Sequence, residues 1–108
     1  MKDDKVFLYN ILESIIKIET YTNSDKDEFM TSGIIQDAVI RNLEIIGEAT
    51  KRVSRRLKEQ TPEIPWTQMA GLRDVLIHDY MGISLKIVWN VVQNELPRLK
   101  IRIMELLD

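Results

Sequence analysis

The residues of this chain best suited to chemistry fall in one stretch, Gly71 to Tyr80, where the single histidine, His78, stands between Arg73 and Tyr80. Histidine has the one side chain whose unperturbed pKa lies near neutrality, so it can take up and release a proton under physiological conditions. Arginine presents a fixed fork of donors that fits phosphate oxygens. A proton carrier beside a phosphate clamp suits work on a phosphate ester.

Helical spacing adds detail. Successive residues turn by about 100° on an α-helix, which groups Trp66, Ala70, Arg73, Ile77 and Tyr80 on one stripe and Pro65, Met69, Leu72, Leu76 and Asp79 on another. The second reads as an internal core stripe. The first mixes aromatic, aliphatic and cationic residues and suits a boundary with a partner chain or ligand. On a continuous helix His78 would point about 140° away from Arg73, so the two converge only if the helix ends near His78 or if they come from different subunits. A histidine at a helix C-terminus also has a plain structural use, because its charge complements the last carbonyls.

Arg73, four intervening residues, His78, Asp79 and Tyr80 resemble the Arg-x4-His-x-Tyr motif of HepT-type toxins, which belong to the HEPN ribonuclease superfamily. The likeness continues through Arg41-Asn42-Leu43-Glu44-Ile45-Ile46-Gly47-Glu48-Ala49, Ile64-Pro65-Trp66, Met69-Ala70-Gly71-Leu72-Arg73, Val88-Trp89 and Leu96-Pro97, covering most of the chain from Ser32 to Lys100. The resemblance implies the toxin of a HepT/MntA-like toxin–antitoxin system, a metal-independent endoribonuclease in which Arg73 and His78 are catalytic. It also implies a partner, a minimal nucleotidyltransferase antitoxin of the MntA type, which would transfer adenylate from ATP to Tyr80. Asn42, Glu48, Trp66 and Asp79 are expected to support the site or line a subunit boundary. No cofactor and no metal are expected.

The elements that must position these residues read as helices. At 108 residues the chain is expected to form one domain, 1–108, and to bury more than about 60% of its unfolded surface. Its 44% hydrophobic and 30% charged residues suit a folded soluble protein. The absence of cysteine excludes disulfides and thiolate metal sites, and one histidine leaves little scope for zinc within a single chain. The start, Met1-Lys2-Asp3-Asp4-Lys5, lacks the apolar core of a signal peptide, and no apolar run approaches the ~20 residues of a membrane span, so a cytoplasmic address without membrane contact is expected.

Taken in order, Phe7, Ile11 and Ile15 with Leu8, Leu12 and Ile16 predict a first helix over 5–20. Ser24 and Asp27 resemble a capping box before a short turn through Phe29 and Met30, and Ser32 can cap the next helix. The period of Ile35, Val39, Asn42, Ile46, Ala49, Val53 and Leu57 predicts that this helix is long, from Gly33 to about Glu59, with a second, mixed stripe of Ile34, Arg41, Ile45, Glu48 and Arg52. Asn42 on the apolar stripe must find a partner, in the Arg-His-Tyr region or in fixing helix register. Gly47 is costly inside a helix and points to a close helix approach. Pro62 and Pro65 separate this helix from the motif helix, which starts at Pro65 and runs to about His78. Gly82 permits an exit turn, Ser84 can cap a last helix, and Pro97 must kink or restart it.

A net charge of −2 does not advertise nucleic-acid binding. Lys51, Arg52, Arg55, Arg56 and Lys58 nevertheless crowd one segment, where they could contact a phosphate backbone, Arg52, Arg55 and Arg56 being the candidates for RNA, or could equally be a solvated helix end.

The expectation is therefore an all-α bundle of four to five helices, HEPN-like, with the motif helix and the long helix forming a homodimer interface and with Trp66, Arg73 and Ile77 near the two-fold axis. One function class is the endoribonuclease toxin, in which a dimer brings two His78 and two Arg73 into one cleft, one imidazole removing a ribose 2′-hydroxyl proton and the other protonating the leaving oxygen. The other is a non-catalytic helical adaptor, or nucleotide-binding subunit, docked on a nucleotidyltransferase.

Overall fold

Buried residues at 4, 8, 11, 15, 18 and 22 recur every three or four positions, so the first helix has a continuous inward face. In the computed structural model, which describes residues 2–78 and 84–108 but not the side chains of Lys2, Val75, Ile77 and His78, that helix is α1, Lys2–Thr22. It is longer than its expected 5–20, and Ile16, expected on the apolar face, is turned outward. Asn23 and Ser24 end it with φ of 46° and 57°, in the left-handed region.

That ending also moves the next cap. An N-cap residue needs extended backbone, which Ser24 does not have, and Asp25 (φ −99°) takes the place instead, its Oδ1 accepting from the Glu28 N–H at 3.0 Å. The short helix α2, Lys26–Thr31, buries Phe29, whose ring lies 5.3 Å from that of Trp89. Ser32 caps α3 as expected, its Oγ accepting from the Ile35 N–H at 3.2 Å.

The helix expected from Gly33 to Glu59 is two helices, α3 at Gly33–Arg52 and α4 at Arg55–Gln60. Val53 and Ser54 between them are extended. The cause lies in α1: the buried Asp4 carboxylate accepts from the Ser54 N–H at 2.8 Å and from its hydroxyl at 2.7 Å, while Ser54 Oγ caps α4 by accepting from the Leu57 N–H. These bonds stabilise a turn that the periodicity, running straight on to a buried Leu57, does not reveal.

The motif helix α5 spans Trp66–His78. Pro65 is not its first residue but precedes it, offering its carbonyl to the Met69 N–H at 3.0 Å. The last rod comprises α6, Leu85–Asn90, a π-helical turn at Val91–Glu95, and α7, Leu96–Leu107. Ser84 stands at the N-cap of α6 without a side-chain cap bond. Pro97 has no N–H and its ring crowds the carbonyl four residues back, and the wider π turn before it lets the helix continue. Met81, Gly82 and Ile83 lie outside the described residues.

No strand occurs among the described residues, and they form the expected all-α bundle. Its long elements are α1, α3, α5 and the final rod, in agreement with the expected four to five, α2 and α4 being short connectors. The central member is α3, which packs against α1 on one side and α5 on the other, and α1 also meets α7. No helix among the described residues is long and apolar enough to cross a membrane.

Asp4 ties the start of α1 to the turn that follows α3, so Asp4→Ala should destabilise the fold by about 1–3 kcal/mol, the cost of stranding polar partners away from water. Chemical denaturation measures this, and an unchanged midpoint would contradict the linkage.

Candidate active site at the crossing of α3 and α5

Gly47 sets the separation of the two helices that carry the site. A methyl group there would overlap Cβ of Arg73, and would stand 3.1 Å from Arg73 Cγ and from the Met69 carbonyl oxygen. The close approach expected of Gly47 is present, and its partner is the arginine of the motif. With α5 pressed onto α3 at this point, the Arg73 side chain must run along the surface of α3.

Arg73 meets Glu48 there, with Nε 3.0 Å from Oε2. The other Glu48 oxygen lies 3.4 Å from Arg52 Nε. An Arg73 terminal nitrogen is 3.5 Å from Asp74, which in turn accepts from Lys51 at 2.6 Å. These groups are partly exposed and screened by solvent, so the pairs add little to stability; their effect is to orient Arg73 more than to hold the fold. The hydrogen bond from Lys51 is the largest cause holding the Asp74 carboxyl below its ordinary value. A lowered carboxylate stabilises the folded form at neutral pH and gives up that contribution only as the pH falls through its lowered pKa.

The arrangement lines a cleft of about 430 Å³. Arg41, Glu44, Ile45, Glu48, Ala49 and Arg52 form its α3 wall, Phe7 and Asn10 of α1 face them, and Arg73 lies among them from α5. Arginine has five donors, so the two carboxylates leave Arg73 with N–H groups for an anion in the cleft.

The expected site residues are distributed unevenly. Arg73, Glu48 and Arg52 come together. Asn42 is buried on α3, and its Nδ2 donates to the Ala38 carbonyl at 2.9 Å, so its amide serves its own helix. Trp66, expected at a two-fold axis, is turned into the core of its own chain, where its Nε1 donates to Thr61 Oγ1 at 2.9 Å. It is therefore a packing residue, because the first turn of α5 faces the Thr61–Ile64 loop. The basic cluster is split by the break at Ser54: Arg52 lines the cleft, Lys51 is tied to Asp74, and Arg55 and Arg56 are exposed on α4, with Arg55 bordering a different depression beside Pro62. The helical backbone of α5 reaches His78, which puts its Cα about 140° round the axis from that of Arg73. Asp79 and Tyr80 lie outside the described residues.

Sequence reasoning does not single out Arg41, Phe7 and Asn10 for the site. Arg41 shares a helical stripe with Glu48 and Arg52, which is a usable signal. Nothing local marks Phe7 and Asn10, since only the packing of α1 on α3 brings them to the cleft.

Gly47→Ala must push α5 away from α3 or distort Arg73. The expected loss is about 1–3 kcal/mol of stability, typical of overpacking, although alanine is the better helix former. A melting temperature equal to or above that of the unaltered protein would show that the crossing does not need glycine.

A family model described as "Ribonuclease HepT-like" matches residues 11–106. A protein of Methanocaldococcus jannaschii, named as a gamma-glutamylcyclotransferase and provisionally as an RNase, is 48% identical over 111 residues, covering 99% of this chain and 50% of its own. This chain thus spans about half the length of that relative. A second M. jannaschii protein, provisionally named an RNase, is 43% identical over 100 residues, with 92% of each chain covered. The "Probable ribonuclease HepT" of Thermococcus cleftensis is 42% identical over 100 residues, covering 92% of this chain and 91% of its own. No solved structure matches the chain significantly. With a family match over nearly its whole length, this chain belongs to the HepT-like ribonucleases of the HEPN superfamily.

Proposed function

We propose that this ribonuclease is the toxin of a HepT/MntA-like toxin–antitoxin pair, acting in the cytoplasm as a homodimeric, metal-independent endoribonuclease. The observation that carries the reading is the seat of Arg73: the crossing at Gly47 and the Glu48 carboxylate hold a guanidinium with free donors in an open cleft, five residues before the chain's single histidine on the same helix.

The chemistry is an internal transphosphorylation. The ribose 2′-oxygen bonds to the adjacent phosphorus while its proton passes to a neutral His78 imidazole. The bond from phosphorus to the 5′-oxygen breaks, and that oxygen takes a proton from the imidazolium of the second His78, supplied by the partner copy across the two-fold axis. Arg73 donates to the non-bridging oxygens as charge builds on them. Because Arg73 and His78 of one helix diverge by about 140°, a second copy is the simplest source of a complete set. One base and one acid of the same residue type, needed in opposite protonation states, give a bell-shaped dependence of rate on pH.

Control is proposed at Tyr80, two residues past His78. A minimal nucleotidyltransferase partner transfers AMP from ATP to the phenolic oxygen; pyrophosphate leaves and the phenol loses its proton. The attached phosphate and adenosine then compete with RNA for Arg73 by charge and by bulk.

His78→Ala should lower cleavage by about 10²–10⁴-fold and Arg73→Ala by about 10²–10³-fold with the fold intact, Arg73→Lys keeping partial activity because it lacks the planar fork. Cleavage should persist in EDTA, and its loss on chelation would refute the metal-free mechanism. Incubation with the partner, ATP and magnesium should add one or more AMP groups to the Tyr80 peptide by mass spectrometry. Tyr80→Phe should stay toxic and resist the partner; neutralisation of Tyr80→Phe as efficient as that of the unaltered protein would overturn the adenylylation.

A further inference from the structure

Arg41 has no part in seating Arg73. It is exposed, lines the same cleft, and belongs to none of the ion pairs among the described residues. Arg41 and Arg52 are eleven residues apart on α3, which on a helix puts them within about 20° of the same line and roughly 16 Å apart. Glu48, which holds Arg73, lies between them along the helix. Opposite stands Phe7, which is only half-buried and so leaves part of its ring to the cleft.

Cations spaced along a groove, with an aromatic ring in the wall, are what a flexible single strand requires: its phosphates follow the charges and an unpaired base covers the ring. A duplex keeps its bases stacked and cannot use Phe7 in this way. We infer that the cleft is a binding groove for single-stranded RNA on either side of the scissile phosphate. Arg41 and Arg52 each take a flanking phosphate, Arg73 takes the one between them, and Phe7 offers a base an apolar face. The choice of RNA as ligand rests on the ribonuclease reading above.

The two carboxylates tune this groove. Three arginines against two glutamates leave it one positive charge in excess, so the grip is weak. Glu48 is already shared between Arg52 and Arg73. Its contact with Arg52 is long and exposed, so a phosphate can replace it. Glu44 forms no ion pair among the described residues and stands one turn from Arg41, where it repels an incoming phosphate. Removing either charge of the Arg41/Glu44 couple should therefore shift affinity in opposite directions, which a general loss of structure could not do.

The test uses fluorescence anisotropy of a labelled, unstructured RNA in EDTA, with every variant built on His78→Ala so that nothing is cut. Arg41→Ala should weaken binding about tenfold and reduce the slope of log affinity against log salt by about 0.7, the share of one phosphate on a single strand. Glu44→Gln should tighten binding, and Lys86→Ala, on the exposed first turn of α6, should leave it unchanged. The inference is overturned if Arg41→Ala binds within about twofold of its parent, if Glu44→Gln does not tighten, if a duplex binds equally well, or if the parent fails to bind at about 0.1 mM, the weak end of non-specific affinity. RNA binding with these charge effects in a protein that cuts no RNA would retire the nuclease mechanism and keep the groove. Cleavage by a protein whose Arg41 variant binds undiminished would do the reverse.

Discussion

At the observed separation of α3 and α5 there is no room for a side chain at position 47, and the most distinctive features of this structure depend on that. Glycine inside a helix costs about 0.5–1 kcal/mol relative to alanine. The cost is offset because α5 can then lie against α3, with Met69 and Leu72 packed on the core that Leu43 and Ile46 present. The same contact holds the start of the Arg73 side chain against Gly47, so the guanidinium can reach only the strip of α3 that bears Glu48 and Arg52. Since α3 is also the helix on which α1 rests, the cleft acquires a second wall from the far end of the sequence. A stable core and a partly exposed, oriented arginine are thus consequences of one steric fact.

Charge is organised around the same point. The chain is acidic overall, yet its cationic side chains are not simply diluted by carboxylates. Lys51 is held by Asp74, Arg52 and Arg73 share Glu48, and Arg41 remains unshared among the described residues. An anion entering the cleft therefore meets two arginines, Arg52 and Arg73, whose directions are already set but whose exposed, solvent-screened partner is weakly held. Orientation without strong pairing is what a site for a phosphate should have, because a tightly bound carboxylate would have to be displaced at a cost to affinity.

Features governed by local pattern are legible in the sequence, and those governed by distant partners are not. The all-α class, the cap at Ser32 and the meaning of Gly47 follow from period, side-chain chemistry and backbone cost, each of which is local. The break at Ser54 escapes because its cause, Asp4, lies fifty residues earlier and because Leu57 keeps the apolar period in step across the turn. Trp66 is misplaced by its stripe for a related reason: a stripe on a helix tells which residues share a face, but not that the first turn of α5 faces a loop held by Thr61. In the cleft, Glu48 and Arg52 can be read from their shared stripe. Arg41 stands on it too, but its use requires the wall supplied by Phe7 and Asn10.

The central claim is that the Arg73-bearing cleft, with His78, cuts RNA by internal attack of the ribose hydroxyl. The ends of the products report this directly. Purified protein acting on a defined oligoribonucleotide in EDTA should leave a 2′,3′-cyclic phosphate on one fragment and a free 5′-hydroxyl on the other, as read by mass spectrometry. A substrate with 2′-deoxyribose at the cleaved position should stay whole. Fragments ending in a 3′-hydroxyl and a 5′-phosphate, or cleavage of the deoxy substrate, would mean that water and not the ribose is the nucleophile, and would contradict the account.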